Sequence, residues 1–170
     1  MSSEASKMRV LVKFNGIENV FEGTVEETWL LISKFYDELI PSFEVARRLQ
    51  LGVDMQSLAR DCEGLIAFSL EGPKVLVPKN KLTDNETLAL WLLASYVGAK
   101  LNLLARGALS KEELQAKLGK SGKITSTRLG ELVKTEWVAK TADDKFKITA
   151  FGIFQMQKDV LPRIITKTGI

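Results

Sequence analysis

Polar and apolar residues alternate from Arg9 to Phe14 and again from Ile17 to Phe21, with Asn15-Gly16 between the two runs. Alternation with a period of two gives a strand one core-facing side, and Asn-Gly tolerates the positive φ angles of a tight type I′ turn, so this segment is predicted to be a β-hairpin. Val10, Val12 and Phe14 share one face of the first strand, and Ile17, Asn19 and Phe21 share one face of the second. The period then changes to that of a helix. Thr24 with Glu27 three residues later is a capping-box pattern, and Trp29, Leu30, Ile32, Ser33, Tyr36, Leu39 and Ile40 recur at near-helical spacing up to Pro41. Further helices are expected over residues 43–51, closed by Gly52, and over residues 55–62, capped by Asp54 and closed near Gly64. Two short apolar runs, residues 65–70 and 74–77, flank Glu71-Gly72-Pro73 and predict a second hairpin. This order describes an α+β unit over residues 1–80, a four-stranded antiparallel sheet with helices on one side. Pro78 and the polar run Lys79-Asn80-Lys81 mark its expected end.

The second half, residues 81–170, opens with another capping-box pattern, Thr83 and Glu86. The helix it starts, from Asp84 to about Leu104, is apolar on nearly every side, which implies burial against more than one neighbour. Ala94 and Gly98 would allow a helix to approach closely, either from the N-terminal unit or from a second copy in a homodimer formed through residues 82–104. Ser110 caps a short helix with Leu114 and Leu118 on one face and Gly119 as its stop. After Lys120-Ser121-Gly122-Lys123, the hydroxyl run Thr125-Ser126-Thr127 is expected to cap a helix beginning at Ser126, with Leu129, Leu132 and Val133 inward. Residues 137–140 and 146–149 read as strands around Ala142-Asp143-Asp144, and a last helix is expected near residues 151–160.

Taken in order, Leu-Ser-Lys-Glu-Glu-Leu, Ser-Thr-Arg-Leu-Gly-Glu-Leu-Val, Trp-Val-Ala-Lys and Lys-Phe-Lys-Ile-Thr-Ala-Phe-Gly resemble the winged helix-turn-helix transcription regulators of bacteria and archaea. The resemblance covers roughly residues 82–165, and its most specific element is Ile148-Thr149-Ala150-Phe151-Gly152. It implies that the helix bearing Arg128 enters the major groove of duplex DNA while the following hairpin, the wing, touches neighbouring phosphate or the minor groove. Carried onto this chain, it makes Arg128 the candidate for bidentate contact with guanine, Ser126 and Thr127 candidates for base or phosphate contact, and Lys123 and Lys134 phosphate neutralisers. On the wing, Lys145 and Lys147 take the phosphate role. Glu131 argues against this arrangement, because a carboxylate on the reading face repels phosphate unless it accepts from cytosine or pairs with Lys134.

Composition sharpens the picture in two respects. Residues 1–80 carry 9 Lys and Arg against 12 Asp and Glu, a net of −3, whereas residues 81–170 carry 15 against 9, a net of +6. The cationic character that phosphate binding requires therefore lies in the half that resembles a DNA-binding domain. The chain has no histidine and one cysteine, Cys62. That removes the usual general base, Cys–His nucleophile pairs and Cys/His zinc sites; catalysis by carboxylates or Lys stays open, and no catalytic residue, metal or cofactor is assigned. A lone cysteine, no secretory leader and no apolar run long enough for a membrane span make the cytoplasm the expected compartment. The aromatics Trp29, Phe35, Tyr36, Phe43 and Trp91 are expected in cores. The readings that compete with a duplex-DNA-binding regulator are a single-stranded DNA or RNA binder using exposed Phe14, Phe21 and Phe68 on the N-terminal sheet, and a winged-helix adaptor between proteins.

Overall fold

In the computed structural model, residues 7–14, 16–39 and 49–169 are described, and the helix expected over residues 43–51, with Phe43, lies almost wholly outside them. The chain forms two compact units, Met1–Gln50 and Leu51–Ile170.

The first unit contains strands β1 (Met8–Phe14) and β2 (Ile17–Gly23), antiparallel with Val10 opposite Phe21 and Val12 opposite Asn19, followed by helix α1 (Val25–Leu39). Gly16 takes the positive φ of 81° that the tight turn needs. Thr24 and Glu27 close the expected capping box, with the Thr24 N–H donating to Glu27 at 2.9 Å and the Glu27 N–H to the Thr24 hydroxyl at 3.2 Å. The helix turns Thr28 and Phe35 inward, and the Phe35 ring meets Phe21 edge-on at 5.5 Å. Trp29 follows Thr28 directly, about 100° further round the helix, and is 64% exposed, so the expectation that it packs in a core is corrected. On the other hairpin face, Leu11 and Val20 stand between the ion pairs Arg9–Glu22 and Lys13–Glu18.

The second unit begins with helix α2 (Met55–Asp61), capped by Asp54, and continues into strands β3 (Ile66–Ser69) and β4 (Gly72–Val75). Among the described residues these pair only with each other, as do β1 and β2, so the four-stranded sheet expected for residues 1–80 resolves into two hairpins. The division also falls after Gln50 and not at Pro78 to Lys81, where residues 79–81 form a single 3-10 turn. The physical reason is burial: Leu58, Leu65, Ile66 and Val77 belong to the same core as helix α3 (Asp84–Lys100).

Helix α3 is the axis of this unit. Leu88, Ala89, Leu90, Leu92, Leu93 and Ala94 are fully buried, which accounts for a helix apolar on nearly every side. It ends at Lys100, short of Leu104, because the Leu103 and Leu104 N–H groups turn back to the Gly98 carbonyl. A Cβ at Gly98 would lie 2.6 Å from both Leu104 Cδ1 and Phe68 Cε1. Ala94 and Gly98 are thus buried within their own chain, leaving the pair no surface to offer a second copy as a dimer seam. Phe68 is half-buried there, and Phe21 against Phe35, so neither is an exposed stacking platform.

Helices α4 (Lys111–Leu118) and α5 (Gly122–Lys134) follow, then strands β5 (Val138–Lys140) and β6 (Phe146–Ile148), antiparallel, with Leu109 bridging to Phe146. Helix α6 (Ala150–Gln155) passes through a wide π turn, Met156–Val160, into helix α7 (Leu161–Thr168), so the last helical stretch runs beyond the expected residue 160. The wide turn falls where Pro162 has no N–H to give the ladder. The result is a mixed α/β protein with small antiparallel hairpins. Among the described residues no helix is long and apolar enough to cross a membrane.

One buried charge ties the ends of this unit together. Glu86, with its side chain 7% exposed, accepts from the Thr83 N–H at 2.8 Å and from Arg163 on α7 at 2.7 Å. Burial pushes its carboxyl up, but the Thr83 hydrogen bonds and the charges of Arg163 and Lys167 outweigh it and leave the group below the usual carboxylate range. A carboxyl depressed in the folded state contributes stability above its unfolded value of about 4.3 and loses it as pH falls through the folded value. Thermal melts between neutral pH and about pH 3 should therefore show a smaller acid-side loss for Glu86→Gln than for the parent; equal losses would place the acid sensitivity elsewhere.

Candidate nucleic-acid interface

The Thr125-Ser126-Thr127 run does not begin α5. Ser121 is the N-cap, its hydroxyl accepting from the Ile124 N–H at 3.4 Å, and the helix starts at Gly122, one turn before the expected Ser126. A hydroxyl preceding the first helical N–H groups caps them wherever it stands, and the later cluster of three masked the earlier single Ser. Thr125 is buried and donates to the Ser121 carbonyl, so the inward stripe is Thr125, Leu129 and Leu132, whereas Val133, expected inside, is 38% exposed. The stripe keeps the i, i+4, i+7 spacing of one helix face.

This rotation fixes where the candidate residues lie. Lys123, Ser126, Thr127, Gly130 and Lys134 are exposed on α5, with Ile124 and Val133 beside them. Neither Lys123 nor Lys134 has an ion-pair partner among the described residues. Arg128 is different. Its guanidinium is turned back onto Glu131 at 2.9 Å and lies 3.7 Å from Asp84 at the start of α3. Glu131 also accepts from the Asn85 amide at 3.0 Å, and these bonds, Asn85 first and Arg128 second, hold its carboxyl below the ordinary range. The partner expected for Glu131 was Lys134, three residues on; the structure supplies Arg128, three residues back, and α3. Asp84 and Asn85, which anchor α5, carry no sequence signal beyond their place at the start of a capped helix.

The hairpin after α5 divides its lysines. Lys145 contacts Asp143 at 2.6 Å, and Lys140 contacts Asp144 at 2.7 Å. Lys145 and Thr141 bond Asp143 and pull its carboxyl down to about 2. Both acids of the turn are thereby matched by lysines of the same hairpin, and Lys145 is occupied. Lys147 is exposed on β6 and lines a cavity of about 690 Å³ with Tyr96, Lys100 and Thr149. Cys62, the lone thiol, is buried, and burial followed by the neighbouring Asp61 pushes it up to about 12. Comparison with protein-family models, curated proteins and solved structures finds no match to this chain.

Proposed function

We propose that the chain is a duplex-DNA-binding protein with a role in transcription regulation, in which α4 and α5 act as a helix-turn-helix and the β5–β6 hairpin acts as the wing. The observation that carries this reading is the exposed face of α5: two unpaired lysines, two hydroxyls and a glycine, with Glu131, the only acid of the helix, drawn aside by Asn85 and Arg128. A helix with hydroxyls at its middle and cations near both ends suits a major groove, Ser126 and Thr127 reaching base edges or phosphate while Lys123 and Lys134 neutralise phosphates. Arg128 changes role. Contact with guanine would require it to leave Glu131 and Asp84, so it is assigned to positioning α5 against α3. Of the wing lysines, Lys147 remains a phosphate contact, whereas Lys145 is held by Asp143.

The test is fluorescence anisotropy with labelled duplex DNA at two salt concentrations. Lys123→Ala and Lys134→Ala should each weaken binding evenly across sequences and flatten the dependence of log affinity on log salt by about one. Absence of binding to any duplex pool, or salt slopes unchanged in both variants, would overturn the reading.

A further inference from the structure

A second cavity of the larger unit, about 330 Å³, is bounded by the start of α3, the end of α5 and α7, and its size falls at the lower end of the ~300–1,000 Å³ of small-molecule sites. Its wall joins an apolar portion, Leu132, Trp137 and Val160, to the buried Glu86, its exposed partner Arg163, and Lys167. We propose that this cavity binds a small planar apolar monocarboxylate, its carboxylate held by Lys167 and Arg163 and its body packed on Trp137.

The charge follows from counting what is already matched. Glu86 spends both oxygens inside the protein, one on the Thr83 N–H and one on Arg163. Lys167 acts on Glu86 electrostatically but has no ion-pair partner among the described residues, so the wall keeps one unmatched positive charge. A monoanion neutralises it, whereas a dianion would leave an excess of negative charge beside a buried carboxylate. Arg163 gives Glu86 a single hydrogen bond from Nη2, which leaves donors of its planar fork for a second carboxylate. The apolar portion excludes a ligand that is polar throughout, and the indole of Trp137 offers a flat surface to a flat body.

Isothermal titration of the full chain with indole-3-acetate, benzoate and inorganic phosphate tests this. The two carboxylates should bind, indole-3-acetate the tighter, and phosphate should not. Lys167 is exposed and forms no ion pair with Glu86, so Lys167→Ala should fold and weaken indole-3-acetate binding about tenfold, with Lys167→Arg restoring it. Quenching of tryptophan fluorescence by the ligand should be reduced in Trp137→Phe. No heat with either carboxylate at millimolar concentration, equal binding of phosphate, or an unchanged affinity in Lys167→Ala would each overturn the proposal.

Discussion

Replacing Gly152 with alanine is expected to cost about 3 kcal/mol of stability, the upper end of what overpacking usually costs, and to lower the melting temperature by roughly 6–12 °C. A Cβ at this position would collide with the Trp137 carbonyl oxygen and stand 2.9 Å from both the carbonyl carbon and Cα of Trp137. These are backbone atoms at the entrance to β5, and they cannot rotate away. Nor can α6 withdraw. The Thr149 hydroxyl accepts from the Gly152 N–H at 2.9 Å and donates to the Glu136 carbonyl at 2.6 Å, while the Thr149 N–H bonds the Trp137 carbonyl at 2.9 Å. Gly98→Ala is the informative control. Its new methyl would meet only the Leu104 and Phe68 side chains, which can shift, so it should cost less. Calorimetric melts of both variants check the pair; a Gly152→Ala protein as stable as its parent would mean that α6 does not pass over Trp137 as described.

The same junction explains what could be read from the sequence. Ile148-Thr149-Ala150-Phe151-Gly152 stood out by its resemblance to a family junction, and the structure gives it physical content: β6 ends at Ile148, Thr149 caps α6, and Gly152 passes the Trp137 backbone. Each step has its own residue type. The boxes at Thr24 and Thr83, the cap at Ser110 and the stop at Gly119 were legible because local hydrogen bonds within four residues decide them. Long-range pairing was not. Nothing in the apolar runs of β3 and β4 states that their partner is α3 and not the first hairpin, so both the sheet and the boundary at residue 80 were misplaced. On α5, taking Ser126 in place of Ser121 as the cap left Thr125 out of the buried stripe and put Val133 in it, and Arg128, expected at guanine, instead meets Asp84, a residue 44 positions earlier. Alternation and helical period define a face; what covers that face depends on parts of the chain that periodicity does not connect.

Gly130 separates the needs of the fold from those of the proposed interface. It lies inside α5 on the exposed side, its φ is not positive, and a Cβ there would meet no atom within 4 Å. Neither backbone geometry nor packing calls for glycine, which costs about 0.5–1 kcal/mol relative to alanine at such a position. Gly130→Ala and Gly130→Gln should therefore each raise stability by roughly that amount, Gln being nearly as good a helix former as Ala. In a helix seated in a DNA groove the smallest outward residue sets how near the backbone comes to the base edges. The added side chains should then act in the opposite direction on binding, slightly for Ala and by about tenfold, some 1.4 kcal/mol, for Gln. Chemical denaturation and duplex anisotropy on the same preparations read the two effects independently. A variant both more stable and equally tight in binding would remove α5 from the contact, because no surface that touches DNA gains a glutamine at its centre without consequence.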